Sequence, residues 1–170
     1  MNRGVKVVEK KTTRSRRTAS RGAGRNRAYL FVYGTLMRGQ KSHGLLAQRR
    51  NVEFVGLGKI RGELYELHSH GYPGAIPSAQ PDRFVSGQLY RLRNPDSILE
   101  DLDEFEGCEE GLFRRALVDA WSKGRKVKAW TYFYARPLGQ ASPLLTGAYR
   151  PARTLGSFRN KNFDLGKGHK

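Results

Sequence analysis

The run Tyr29-Leu30-Phe31-Val32-Tyr33 is apolar or aromatic at every position and stops abruptly at Gly34-Thr35-Leu36. A strand covered on one face alternates apolar with polar residues. One covered on both faces reads as an unbroken apolar run. The segment therefore predicts a strand at the centre of the fold, with packed layers on either side. A chain of 170 residues is long enough to supply those layers within one domain.

The flanking patterns say what the layers are. Residues Ser42 to Arg50 predict a short helix and Val52 to Leu57 a strand. Gly62-Glu63-Leu64-Tyr65-Glu66-Leu67 and Gly87-Gln88-Leu89-Tyr90-Arg91-Leu92 share the pattern G-x-L-Y-x-L. Both predict strands, but nothing around them matches, so they do not mark a repeat unit. Between them, Gly71-Tyr72-Pro73-Gly74-Ala75-Ile76-Pro77 reads as a turn-rich connection. Phe113 to Trp121 and Val127 to Tyr134, joined by Ser122-Lys123-Gly124-Arg125, predict a hairpin. About six or seven strands and two helices amount to an α+β fold with a strongly curved, mostly antiparallel sheet.

Residues Glu100 to Glu110 hold seven of the chain's 15 acids. Asn94 suits a helix N-cap, Pro95 the first helical position, Asp96 the positive end of the dipole, and Gly107 a left-handed stop. At ~100° per residue from Leu99, the residues Leu102, Phe105 and Ile98 fall on one face, and Glu100, Asp101 and Glu104 on the other. Glu106 falls at ~340°, between Leu99 and Leu102, where a carboxylate is costly unless paired or used. Desolvation and the negative end of the helix both act to raise its pKa. A raised carboxylate suits a general base near neutral pH. On the helix alone two readings stand: a general base, or a structural ion pair with Arg114 or Arg115.

Charge is unevenly spread. Of 32 Lys/Arg, ten lie in residues 1–27, against the single acid Glu9. That stretch predicts a disordered basic arm, and residues 150–170 a basic C-terminal tail. The arm lacks the apolar run of a secretory signal. Its Arg, Ser and Thr content resembles a transit peptide with a poor apolar face. Without interleaved aromatics, weak polyanion binding by the tails is all that is expected, and the arm reads as dispensable. Cys108 is the one cysteine, so no intramolecular disulfide can form, which suits a reducing, cytoplasmic location. Carboxylate neighbours would raise its thiol pKa, so it reads as incidental. No segment has the length of a membrane span. The pair His68 and His70 is a weak metal signal, no other ligand spacing occurs, and no metal is expected.

Two motifs, Tyr33-Gly34-Thr35-Leu36 and Leu102-Asp103-Glu104-Phe105-Glu106-Gly107, stand in order with Gly87-Gln88-Leu89-Tyr90 and Ala129-Trp130-Thr131-Tyr132. Together they resemble the γ-glutamylcyclotransferase-like family over roughly Tyr29 to Tyr149. The stretch Phe31 to Leu36 followed by Arg38-Gly39 is most like the γ-glutamylamine cyclotransferase branch. The resemblance implies a domain over residues 28–149, a small mixed, mostly antiparallel β-barrel with a substrate cavity at one end, and no cofactor. It implies that Tyr33, Gly34, Thr35 and Leu36 grip the γ-glutamyl group, that Tyr132 lines the pocket, and that Glu106 is the catalytic base. The reaction implied is release of 5-oxoproline from a γ-glutamyl amine or peptide. Backbone N–H groups around Gly34 could hold an oxyanion, since glycine allows close approach. Gly34 equally suits a tight turn, and Tyr132 a core aromatic. Relatives often carry Tyr at Phe113; Tyr72-Pro73-Gly74 and His43 have counterparts too. A rival of another class is a non-catalytic member of the fold that binds a small acidic ligand or, through basic arms, nucleic acid.

Overall fold

The computed structural model describes residues 27–68 and 71–150. The expected basic arm apart from Arg27, the tail apart from Arg150, and His70 lie outside the described residues. Strand β1 (Arg27–Val32) is followed by α1 (Gly44–Ala47), β2 (Val52–Arg61), β3 (Glu63–Leu67), β4 (Tyr72–Ile76), β5 (Phe84–Arg93), α2 (Pro95–Phe105), β6 (Phe113–Ser122), β7 (Arg125–Tyr134) and the two-residue β8 (Ser142–Pro143). Five strands close a barrel in the order β1-β5-β2-β6-β7, and β4-β3-β8 form a separate sheet. Every pairing is antiparallel except β1 with β7, which closes the barrel at Leu30 and Trp130. This is the small mixed, mostly antiparallel barrel that the resemblance implied.

Strand β1 is buried on both faces, as its run predicts. Leu30 and Val32 join a cluster with Ile98, Leu99 and Leu102 of α2. Phe31 and Tyr33 join a second cluster with Ile60, Val85, Leu89 and Phe133. Each such side chain contributes about 1.5–3 kcal/mol on burial. The single closing bridge is reinforced by Thr131, fully buried, whose hydroxyl donates to the Phe31 carbonyl at 3.1 Å.

Several expectations need correction. Gly71–Pro77 is not merely a connection: Tyr72–Ile76 forms β4, paired with β3 from Glu63–Ile76 to Leu67–Tyr72. The order β4-β3-β8 makes β4 an edge strand, where proline's missing N–H is tolerated. Strand β2 runs on past Leu57 to Arg61, with a register shift between Phe54 and Gly56. Asn94 occupies the N-cap position, but in a left-handed conformation (φ 52°) and without a side-chain cap bond. The tight entry from β5 imposes that geometry, which Asn tolerates better than most residues. Gly107 does stop α2 in the left-handed region, at φ 63°. Phe105 is 44% exposed and so leaves the apolar stripe that Ile98, Leu99 and Leu102 bury.

Candidate active site

A cavity of about 370 Å³ opens beside the end of β1. One wall is the segment from Phe31 to Leu36, another is Tyr72 and Pro73 of β4. The end of α2 contributes Phe105 and Glu106, the start of β6 Leu112 and Phe113, and β7 Tyr132. All six residues singled out from the sequence, Tyr33, Gly34, Thr35, Leu36, Glu106 and Tyr132, line this one cavity.

Glu106 is brought there by the helix. It is the C-cap of α2, its N–H bonding the Leu102 carbonyl at 2.9 Å, and Gly107 turns the chain away immediately after. Its side chain is partly buried and pushed up from 4.5 to about 7 by desolvation. Among the described residues no ion pair or hydrogen bond reaches its carboxylate. The ion pair weighed against catalysis is taken by another acid: Arg115 binds Asp103 at 3.0 Å. Arg114 is exposed.

The loop after β1 is held by its surroundings. The Met37 N–H bonds the Gly34 carbonyl at 3.1 Å, and the Ser42 N–H bonds Thr35 at 3.0 Å. The His43 Nδ1–H donates to the Leu36 carbonyl at 3.0 Å. The Arg38 N–H and the Tyr90 hydroxyl both donate to Gln88 Oε1, at 2.8 and 2.7 Å. The N–H groups of Gly34, Thr35 and Leu36 donate to no acceptor among the described residues. Three successive uncommitted amides beside a cavity can bind an anion or a developing oxyanion. Gly34 also has a steric reason: a Cβ there would lie 2.9 Å from Pro73 Cγ.

The two tyrosines turn their hydroxyls away from that chemistry. The Tyr33 hydroxyl donates to the Tyr132 carbonyl at 2.7 Å and accepts the Ala75 N–H at 3.1 Å. Burial foremost, and Glu106 next, push its pKa well up. Tyr33 can therefore offer a ligand its backbone and ring, not its hydroxyl. The Tyr132 hydroxyl donates to Asp103 Oδ1 at 2.9 Å, and burial followed by that bond pushes its pKa up. Phe113 leaves the cavity without a hydroxyl at that point, and packs on Tyr134 and Tyr72 at 5.6 and 6.1 Å between centroids. Burial and Asp103 push the Cys108 thiol up, against any nucleophilic use.

Sequence reasoning missed Lys41 and Ser42, which the turn after Gly39 returns to the cavity wall. No local pattern marks them; loop bonds such as those from Ser42 to Thr35 and from His43 to Leu36 place them there. Among the described residues, no group of three or more His, Cys, Asp or Glu side chains could hold a metal ion, and no helix is long and apolar enough to cross a membrane.

Known proteins share the sequence and fold of this domain. The chain is 32% identical over 98 residues to the rat (Rattus norvegicus) protein named gamma-glutamylaminecyclotransferase, covering 53% of this chain and 62% of that one. It thus spans less than two thirds of that relative. It is 30% identical over 112 residues to the gamma-L-glutamyl-butirosin B gamma-glutamyl cyclotransferase of Niallia circulans, covering 63% and 67%. The crystal structure of an aig2-like protein from Mus musculus superposes with a TM-score of 0.55 at 27% identity, covering 64% of this chain and 78% of that one. The family described as gamma-glutamyl cyclotransferase, AIG2-like, matches residues 30–151, and the chain belongs to it.

Proposed function

We propose that the protein converts a γ-glutamyl amine or γ-glutamyl peptide into 5-oxoproline and the free amine, with Glu106 as general base. One observation carries the reading: a carboxylate pushed up to about 7, without an ion pair or hydrogen bond among the described residues, shares a cavity with three backbone amides that donate to no described acceptor. That combination favours a catalyst over a non-catalytic binder of acidic ligands, because cyclisation needs a proton acceptor beside the anion donors and simple binding of an acid does not.

The reaction is an internal displacement. The substrate's α-ammonium gives a proton to Glu106, and the freed amine attacks the γ-carbonyl carbon. A carbon–nitrogen bond forms to close the five-membered ring, and the bond to the leaving nitrogen breaks. The two protons lost by the attacking nitrogen end on the leaving nitrogen, and Glu106 can carry them in turn. The amides of Gly34, Thr35 and Leu36 are the donors available to the substrate carboxylate or the tetrahedral oxygen. Because nucleophile and electrophile belong to one molecule, most of the barrier is lowered by holding the substrate folded. Phe105, Leu112 and Phe113 supply apolar walls for that purpose.

Incubation of the pure protein with γ-glutamyl amines, γ-glutamyl dipeptides and glutathione, assayed for 5-oxoproline, tests the reading. Release from at least one class is expected. No release from any of them refutes it.

A further inference from the structure

We propose that Asp103 is a positioning residue: it clamps the turn that carries Glu106 to strands β6 and β7 and so fixes the carboxylate against the cavity. The proposal rests on the cyclotransferase reading for its catalytic consequence, but not for its structural content.

Asp103 and Glu106 are three residues apart, so they lie on neighbouring rows of one helical turn. Asp103 uses both carboxylate oxygens on different strands. Oδ1 accepts the Tyr132 hydroxyl of β7 at 2.9 Å. Oδ2 meets the Arg115 guanidinium of β6 at 3.0 Å. The Arg115 guanidinium in turn lies 5.1 Å from the centre of the Trp130 ring, which keeps it against the barrel wall. The Asp103 carbonyl accepts the Cys108 N–H at 2.9 Å, closing the chain around Glu106. Residues on both sides of Glu106 are thus tied down, while the Glu106 carboxylate has no hydrogen bond or ion pair among the described residues. The last turn of a helix frays readily, since its carbonyls lack intrahelical donors. Without the clamp, this turn would open and let water reach Glu106.

The charged and titratable groups facing Glu106 are Tyr33 at the end of β1, Tyr72 of β4, and Cys108 just beyond α2. Asp103, Arg115 and Tyr132 form the clamp, and Lys41 stands exposed at the cavity wall. Two substitutions separate positioning from simple charge. Tyr132→Phe removes one clamp bond and no charge. Arg115→Met removes a cation, which by Coulomb's law alone would raise the Glu106 pKa. A released turn lowers it instead, because desolvation is what raised it.

The test is ¹³C NMR titration of the Glu106 carboxyl in the full chain, assigned by its loss in Glu106→Gln, alongside kcat and KM on whichever γ-glutamyl substrate the panel identifies. Both variants should lower the Glu106 midpoint by about one pH unit. Both should lower kcat roughly 10- to 100-fold with KM little changed, since misplacement by ~1 Å can cost 10². Asp103→Asn, which keeps an acceptor for Tyr132, should lose less than Asp103→Ala. An unchanged midpoint in Tyr132→Phe, or a raised one in Arg115→Met, overturns the proposal even if the protein is active. If wild type turns over no γ-glutamyl compound, the cyclotransferase reading fails, and the titration still decides whether Asp103 positions Glu106.

Discussion

Replacement of Glu106 by Gln should move activity and stability in opposite directions. Burial pushes the Glu106 carboxyl from 4.5 to about 7 in the folded chain. The folded state therefore resists ionisation that the unfolded state allows. Below pH ~4.5 the group is protonated in both states and costs nothing. As pH rises through that value the unfolded chain ionises first, and stability is lost until the folded group also ionises near pH 7. Each pKa unit is worth about 1.4 kcal/mol, so the cost at pH 8 is on the order of 3 kcal/mol, trimmed by the side chain's partial exposure to the cavity. Gln keeps the shape and cannot ionise. Urea unfolding of wild type and Glu106→Gln should show nearly equal stabilities at pH 4 and a more stable variant at pH 8, by up to ~3 kcal/mol. Turnover at pH 8 should fall by ~10²–10⁴. Glu104→Gln, exposed two residues earlier, should change neither. A stability difference that does not vary with pH would refute the burial argument, and full activity in Glu106→Gln would refute the base.

Gly34→Ala should cost ligand affinity, read as 5-oxoproline binding, because its Cβ would stand 2.9 Å from Pro73 Cγ; Pro73→Ala should restore part of it, and no restoration would put the fault elsewhere. Thr131→Val should destabilise by about 1–3 kcal/mol in denaturant unfolding, since the buried hydroxyl's bond to the Phe31 carbonyl at the barrel closure would be lost; a neutral effect would mean the closure does not depend on it. Removal of residues 1–26 should leave unfolding cooperativity and any cyclotransferase activity unchanged, because the barrel closes among the described residues with β1 from Arg27 onward. Any steep salt dependence of RNA binding should vanish with those residues; large destabilisation would show that they dock on the domain.

What could be read in the sequence follows from periodicity. The unbroken run in β1 and the 3.6-residue phase of α2 each report burial directly, and the phase alone set Glu106 apart from six neighbouring acids. The strand β4 escaped because Tyr72-Pro73-Gly74 carries two turn-forming residues. Their fit to a strand depends on an edge position, which is a property of the sheet and not of the segment. Asn94 shows the same limit, since the residue type matched a cap while the approach from β5 decided its backbone. Lys41 and Ser42 reach the cavity through a loop bond, and Asp103 meets Arg115 and Tyr132 across three elements. Local pattern holds no record of such pairings.

The Tyr33 hydroxyl has a consequence for how the cavity can move. It joins the Ala75 amide of β4 to the Tyr132 carbonyl of β7, so a single oxygen rivets the small sheet to the barrel. Parting the two sheets would strand buried polar groups, at about 1–3 kcal/mol for each. The spacing between the β4 and β7 walls of the cavity is therefore set by a phenol before any ligand arrives. A flexible substrate entering this gap has its own freedom to lose, while the protein there has little left to surrender.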